Sequence, residues 1–418
     1  MHHDTPSDPT PPEHAQTIGT RLTELRNRRG LTQEALAEQT GLSVGVIRKI
    51  ENARGGARME TYRLIADALG VETIVFAVPG SPAPQPSTHQ DTALAEIRAA
   101  INPPAGMRGP IMPRGLDTPD LGMLADATKI LAQHYERDEY DTVARMAPAV
   151  VRAAHLHVNL LDGDDQAAAR RLRSDVLGVA GRWLIQVREH DLALVALRDA
   201  LSDALAVDDT PRAARAISSE AWALLRQGRF AEVETLCSTS ADMIEPSKIT
   251  KASPDELSAW GWLLLRASAA AVRNNRPAEA NMFHRHAMSA AAAVGREVRN
   301  PIGQTFGPMT VALKGPENAL VSEKPDLALR LAEELPWNAG VSMRSDMHRH
   351  GIDKARAHFK LGNVDDAEQL LQELRVEAPE WLRHQQSARD AVEDMINDKK
   401  RRPSRTLVDL AKFLQVSL

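Results

Sequence analysis

Histidines two residues apart occur three times in the chain, at His155/His157, His284/His286 and His348/His350. Metal binding is the chemistry such pairs first suggest. On a helix, side chains two apart diverge, so neither pair member can share an ion with the other. The pairs are expected to be solvated or to lie near a ligand. Adjacent carboxylates at Asp164/Asp165 and Asp365/Asp366 fall between helical runs and read as turn caps. Cys237 is the single cysteine. It excludes an internal disulfide and a cysteine zinc cluster, and it reads as a small buried apolar residue. The chain has no Walker-type glycine loop, no G-x-S-x-G, no H-E-x-x-H and no Cys-x-x-Cys. No catalytic constellation assembles, so neither an enzyme, a cofactor nor a metal site is expected.

Binding chemistry is better supplied, in two sets of residues. The first gathers around "LTQEALAEQTGLSVGVIRKIE", Leu31 to Glu51. There Arg48 carries a planar fork able to read guanine, and Val44 can meet a thymine methyl. Lys49, Arg54 and Arg58, with Gln33, are suited to phosphates, which position a protein on DNA without specifying sequence. The second set is rich in tryptophan, scarce in this chain: Trp183, Trp222 and Trp260, with Arg226, Asn274 and Phe306. Joined by Arg182, Arg266 and Arg273, they offer apolar platforms beside cationic and amide groups, a suitable surface for a peptide or a small acid. As structure, the same tryptophans read as core wedges.

The first set needs short helices to present it. "RLTELRNRRG" is amphipathic, with Leu22 and Leu25 inward. Thr32 caps a second helix, Gly41 supplies a left-handed turn, and Ser43 caps a third, "VGVIRKIEN", with Val46, Ile47 and Ile50 inward. Two short helices joined by a glycine turn make a helix-turn-helix. "METYRLIADALG" adds an amphipathic helix with Leu64, Ile65, Ala68 and Leu69 inward.

The second set lies on a longer array. Six times an apolar helix meets a short polar turn and restarts on a small or apolar anchor: Val143, Ala193, Val233, Ala280, Ala328 and Ala367, 39 to 50 residues apart. One helical hairpin cannot cover its own apolar face, so such units stack into a curved solenoid whose inner surface forms a pocket. "NPIGQTFGPMTVAL", around Phe306, is the least repeat-like stretch and a favoured place for a ligand loop.

With Gln33, Gly41, Leu42, Ser43, Ile47, Ile50 and Glu51 in place, residues 16–78 resemble an Xre-type, phage repressor-like helix-turn-helix domain. The resemblance implies that the third helix enters the major groove, its exposed positions Val44, Gly45 and Arg48 toward base edges, with Ser43 at its start also in the DNA-binding set. "AHFKLGNVDDAEQLLQELRVEAPE" carries the small, Leu-Gly, Ala and Pro marks of a tetratricopeptide repeat. As a whole the chain resembles regulators that fuse an Xre-type head to a tetratricopeptide-like sensor, a layout found in peptide-pheromone receptors and in many actinobacterial regulators.

Charge and composition agree with that layout. The formal net charge of −5 excludes a general polyanion binder. Residues 16–78 reverse the sign, with nine Arg/Lys against seven Asp/Glu. The expected fold is all-α, an N-terminal helix-turn-helix followed by a tetratricopeptide-like solenoid of helical hairpins. The expected domains are a disordered tail at 1–15, the head at 16–78, a Pro-rich linker at 79–120 and a sensor and dimerisation domain at 121–418. Without an apolar run long enough for a membrane, or an export signal, the protein is expected in the cytoplasm with the nucleoid. The expected function is sequence-specific transcription regulation by a homodimer on two half-sites of double-stranded DNA, responsive to a peptide or small molecule. The alternative is a DNA-tethered scaffold that holds another protein.

Overall fold

The computed structural model describes residues 18–20, 22–23, 26–27, 31–52, 57, 59–69, 88–106, 109–110, 119–336, 344–398 and 402–417. The chain divides into two compact units, residues 1–86 and 87–418. Both are α-helical, with two-residue strands and one 3-10 turn the other regular structure among the described residues.

In the first unit, α1 (Gln33–Thr40) starts on Thr32, whose side chain accepts from the Ala35 amide, and ends on Gly41 at φ 66°. After that left-handed residue, Ser43 accepts from the Val46 amide and starts α2 (Val44–Glu51). Ile47 and Ile50 of α2 join Leu22, Leu36 and the buried face of α3 (Met59–Leu69) in one core. Each such side chain contributes about 1.5–3 kcal/mol on burial. One expected inward position is corrected. Leu64 is 46% exposed, while Tyr62 and Ala66 are buried. The core takes the stripe 62, 65, 66, 69, which is the 3-4 spacing of one helical face, and Leu64 falls off it.

The second unit begins with α4 (Thr88–Ile101), which buries Ile97, Ala100 and Ile101 in the main core. These residues lie inside 79–120, the range read as linker, and the second compact unit runs from residue 87. A two-strand ribbon follows, β1 (Ala105–Gly106) with β2 (Gly109–Pro110). Then come the hairpins, each a pair of packed antiparallel helices: α5 (Leu121–Glu136) with α6 (Tyr140–Leu160), α7 (Gly163–Gln186) with α8 (His190–Ala206), and α9 (Thr210–Arg226) with α10 (Phe230–Ile244). Beyond a 3-10 turn at Ile249–Lys251 the fourth pairs α11 (Pro254–Arg273) with α12 (Pro277–Val294). The interruption expected around Phe306 is the ribbon β3 (Val298–Arg299) and β4 (Thr305–Phe306) and the short α13 (Pro308–Ala312). The fifth and sixth hairpins are α14 (Lys314–Val321) with α15 (Pro325–Glu333), and α16 (Arg344–Lys360) with α17 (Val364–Glu377). Three helices close the chain: α18 (Pro379–Arg383), α19 (Gln386–Ile396) and α20 (Arg405–Leu414).

All six hairpins turn in the same way. Two residues before each second helix the backbone is left-handed, at Asp138, Arg188, Gly228, Asn275, Glu323 and Gly362. The fourth residue of each second helix is one of the six expected anchors, and every anchor is buried to 3% exposure or less. Asp164/Asp165 and Asp365/Asp366, read as caps, lie instead within the first turns of α7 and α17. Carboxylates there suit the positive end of the helix dipole.

The array curls back on itself. His348 of α16 faces Asp138 of the first turn at 3.3 Å, the His384 ring lies 6.1 Å from Tyr140, and Gln385 donates to Gln186 of α7 at 3.1 Å. The sixth hairpin thereby meets the first, the segment after α18 meets the first and second, and the solenoid is closed into a ring.

Candidate nucleic-acid interface and ligand cavity

In the first unit a buried ion pair sets the exposed face of α2. The Arg26 guanidinium donates to both carboxylate oxygens of Glu51, at 2.6 and 3.1 Å, and to the Leu31 carbonyl at 2.8 Å. The Glu51 side chain is 4% exposed. Gln33, expected at a phosphate, donates its amide to Glu51 at 2.6 Å and accepts from Arg48 Nε at 3.4 Å. Its place is therefore in a relay from the core to Arg48. Glu34 stands 4.0 Å from Arg48, whose side chain remains 60% exposed. Lys49, Gly45 and Ser43 are exposed, and Val44 is half-buried against the core. Arg54 and Arg58, like the tail at 1–15, lie outside the described residues. Arg26 carried no signal in the sequence beyond being one basic residue among several in its helix.

In the second unit a cavity of about 330 Å³ occupies the inside of the ring. Each first helix of the six hairpins contributes to its wall near its C-terminal end or along its inner face: Tyr135, Arg182, Trp222, Trp262, Glu317 and Arg349 are one from each. Arg226, Arg266 and Arg273 line it as well.

The expected ligand residues divide. Trp222 and Arg226 line the cavity. Trp183 and Phe306 are buried at 1% and 0% and Trp260 at 3%, all in the core and none on the cavity wall. Asn274 is the exposed C-cap of α11 and donates to Glu234 at 3.4 Å, away from the cavity. The physical reason lies in the interruption. Phe306 packs so closely on α11 that a Cβ at Gly261 would stand 2.1 Å from its ring. Trp262 donates to the Thr305 carbonyl at 2.8 Å, and Arg182 to the Ile302 carbonyl at 3.0 Å. The stretch expected to be a ligand loop acts as a plug that packs Phe306 on α11, with Trp260 in the core and Trp262 toward the cavity, and it also places Gln304 on the cavity wall. Trp262 is an aromatic of the cavity wall that the sequence reading did not assign to the site.

The cavity is electropositive. Seven basic side chains and three acidic ones line it. Burial, then Arg349, Arg273 and Arg266, push the Arg226 pKa well below its ordinary value. Burial likewise brings Arg266 down to about 10. A guanidinium keeps its proton at neutral pH, so the direction of these shifts reflects the cost of holding buried like charges together. Burial alone would raise Glu317, but Lys314, Arg273 and Arg349 outweigh it and hold the carboxyl well below the usual range. His190 and His384, also on the wall, are brought to about 4 by burial and by neighbouring arginines.

The histidine pairs are mostly not solvated. His155, His157, His348 and His350 are buried, and His157 is bonded to the Asp120 amide at 2.9 Å. Among the described residues no three His, Cys, Asp or Glu side chains are grouped to hold a metal ion. Cys237 is buried, its thiol pushed up to about 12.

Residues 17–75 match the family of the helix-turn-helix domain. The helix-turn-helix domain so matched contains Thr32, Gly41, Ser43 and the whole relay from Arg26 to Arg48. No curated protein matches the chain. Among solved structures the chain is similar to Bacillus thuringiensis PlcR in complex with the peptide PapR7 and DNA, at 12% identity over 92% of this chain and 100% of that one, TM-score 0.33. It is also similar to the PrgX/iCF10 complex, at 11% identity over 94% of each chain, TM-score 0.25. ComR from S. thermophilus, in complex with DNA and its signalling peptide ComS, matches at 12% over 76% and 100%, TM-score 0.20. Scores this low leave function to the helix-turn-helix domain and to the chemistry of the cavity.

Proposed function

We propose that the protein is a sequence-specific transcription regulator in which the helix-turn-helix domain reads DNA and the ring of hairpins senses a small signal and joins two copies. The single observation that carries the reading is the relay Arg26–Glu51–Gln33–Arg48, a buried ion pair used to hold one exposed guanidinium on the second helix of a helix-turn-helix. In this reading Arg48 meets a base edge, with Ser43, Val44 and Gly45 beside it, and Lys49 meets phosphate. Arg54 and Arg58 are assigned to phosphate by their place in sequence. One head with so mild a positive balance binds weakly, so the working species is a homodimer on paired half-sites in the cytoplasm.

The test compares variants on a duplex selected from a random library and on random duplex. Arg48→Ala should cost about 1–3 kcal/mol on the selected duplex and relax choice at one base pair per half-site. Lys49→Ala should weaken both duplexes alike and flatten the salt slope by about one. Equal losses for Arg48→Ala on the two duplexes would remove Arg48 from base reading, and a monomeric full-length chain in sedimentation would remove the dimer.

A further inference from the structure

We infer that the cavity inside the ring binds a small anion, a carboxylate or phosphate attached to a flat unsaturated ring, with Arg226, Arg266 and Arg349 on the anionic group and Trp222 and Trp262 on the ring. The inference deepens the sensing half of the reading above by giving the chemical class of the signal.

Size limits what can lie wholly inside. A cavity of about 330 Å³ holds roughly the volume of ten waters, room for a metabolite or for about two residues of a peptide. Charge then selects among small molecules. Glu317 is already engaged, by Arg273 at 2.8 Å and Lys314 at 3.2 Å. Among the described residues no carboxylate lies within ion-pair distance of Arg226, Arg266 or Arg349. Arg266 Nε donates to the Ser218 carbonyl at 3.2 Å, and Arg349 donates to the Gln385 side chain. Three guanidiniums thus share one cavity without a carboxylate in direct contact, and Asp346 and Glu317 of the same wall offset only part of their charge.

The rest of the same unit shows what a structural arginine looks like. Arg170 and Arg173 close on Asp203 at 2.9 and 2.5 Å, and Arg212 closes on Asp175 at 2.9 Å. Burying a cation without its counter-charge is strongly unfavourable, and Arg170, Arg173 and Arg212 avoid it by closing on carboxylates. At the cavity wall the missing counter-charge is what a ligand would bring. The aromatic part follows from geometry: the Arg266 guanidinium sits 5.4 Å from the Trp222 ring centre and 5.0 Å from that of Trp262. Two indoles flank one cation on the cavity wall, so the ring of an anion held by Arg266 would lie beside them.

The experiment titrates the full-length chain by calorimetry with 2-naphthoate, 2-naphthyl phosphate, neutral 2-naphthamide and inorganic phosphate. One or both naphthyl anions should bind at least about tenfold more tightly than the amide and than inorganic phosphate; which one wins tells carboxylate from phosphate. Arg226→Gln and Arg349→Gln should each lose about tenfold in affinity for that anion. The same unliganded variants should melt at a higher temperature than the wild type, because like-charge repulsion is relieved, whereas loss of a merely packing residue lowers the midpoint. Equal binding of the amide, no binding of either naphthyl anion at millimolar concentration, or both variants melting lower with affinity unchanged overturns the site. Binding of inorganic phosphate as tight as the naphthyl anions overturns the ring component. Duplex binding by the unliganded wild type is measured apart. A chain that takes the anion and ignores every duplex keeps the site and loses the regulator, and the converse loses only the site.

Discussion

Glu51 is the residue on which the DNA-binding face depends, although it is nearly out of solvent. Its carboxylate holds Arg26 by two hydrogen bonds and Gln33 by one, so Glu51→Ala strands a buried guanidinium and should destabilise the first unit by about 3–5 kcal/mol. Replacing both partners by apolar residues of similar size, Glu51→Leu with Arg26→Met, should recover most of that loss, since neither charge is then left alone. Calorimetry of the full-length chain reads both. If the double variant melts as low as the single one, the pair does more than satisfy itself. The carboxylate could be singled out in sequence because it ends the "I-x-x-I-E" run, but its partner stands 25 positions away and no spacing rule links them. The tryptophans teach the same lesson. Their scarcity marked them as important, yet Trp260 and Trp262 are two apart on one helix and so must point in different directions. Which of them faces the cavity goes with the packing of Phe306 on α11 from more than forty residues on.

At the scale of elements, the turns explain what could be read and what could not. The anchors were legible because a small or apolar residue at the fourth position of each second helix packs under the preceding helix. The left-handed residue two places before that helix was not, because it is glycine only at Gly228 and Gly362 and otherwise Asp138, Arg188, Asn275 or Glu323. The plug is the element whose role changed most. Gly261 leaves space for the Phe306 ring, and a methyl group there would overlap it. Gly261→Ala should therefore cost about 1–3 kcal/mol by overpacking, and Phe306→Leu in the same chain should restore part of it. A Gly261→Ala chain with an unchanged melting midpoint would mean that the plug yields freely.

Across the whole molecule, buried histidines tie stability to pH. His155, His190, His350 and His384 have pKa values brought to about 4, chiefly by burial. An unfolded chain takes up these protons near 6.5 and the folded chain resists until about 4, so stability should fall by several kcal/mol as pH drops between those values and then level off for these groups. His348 acts in the opposite sense. Burial would lower it, but Asp138 and Glu377 raise it on balance, so its contribution is full below about 6.5 and fades as pH rises through the elevated value. Melting curves from pH 7.5 to 4 test the balance, and a midpoint that is flat or rising toward acid would contradict it. The repeat, its hairpin unit and the inward first helices were legible, since each is a local pattern. The closure was not, because it depends on small rotations summed over six hairpins. That closure has a consequence of its own. An open solenoid can lose or gain a repeat and remain a solenoid, since each unit needs only its neighbours. Here the last hairpin must land on the first, so the number of repeats is fixed by geometry as it is in a propeller, and duplications that lengthen open arrays are closed to this one.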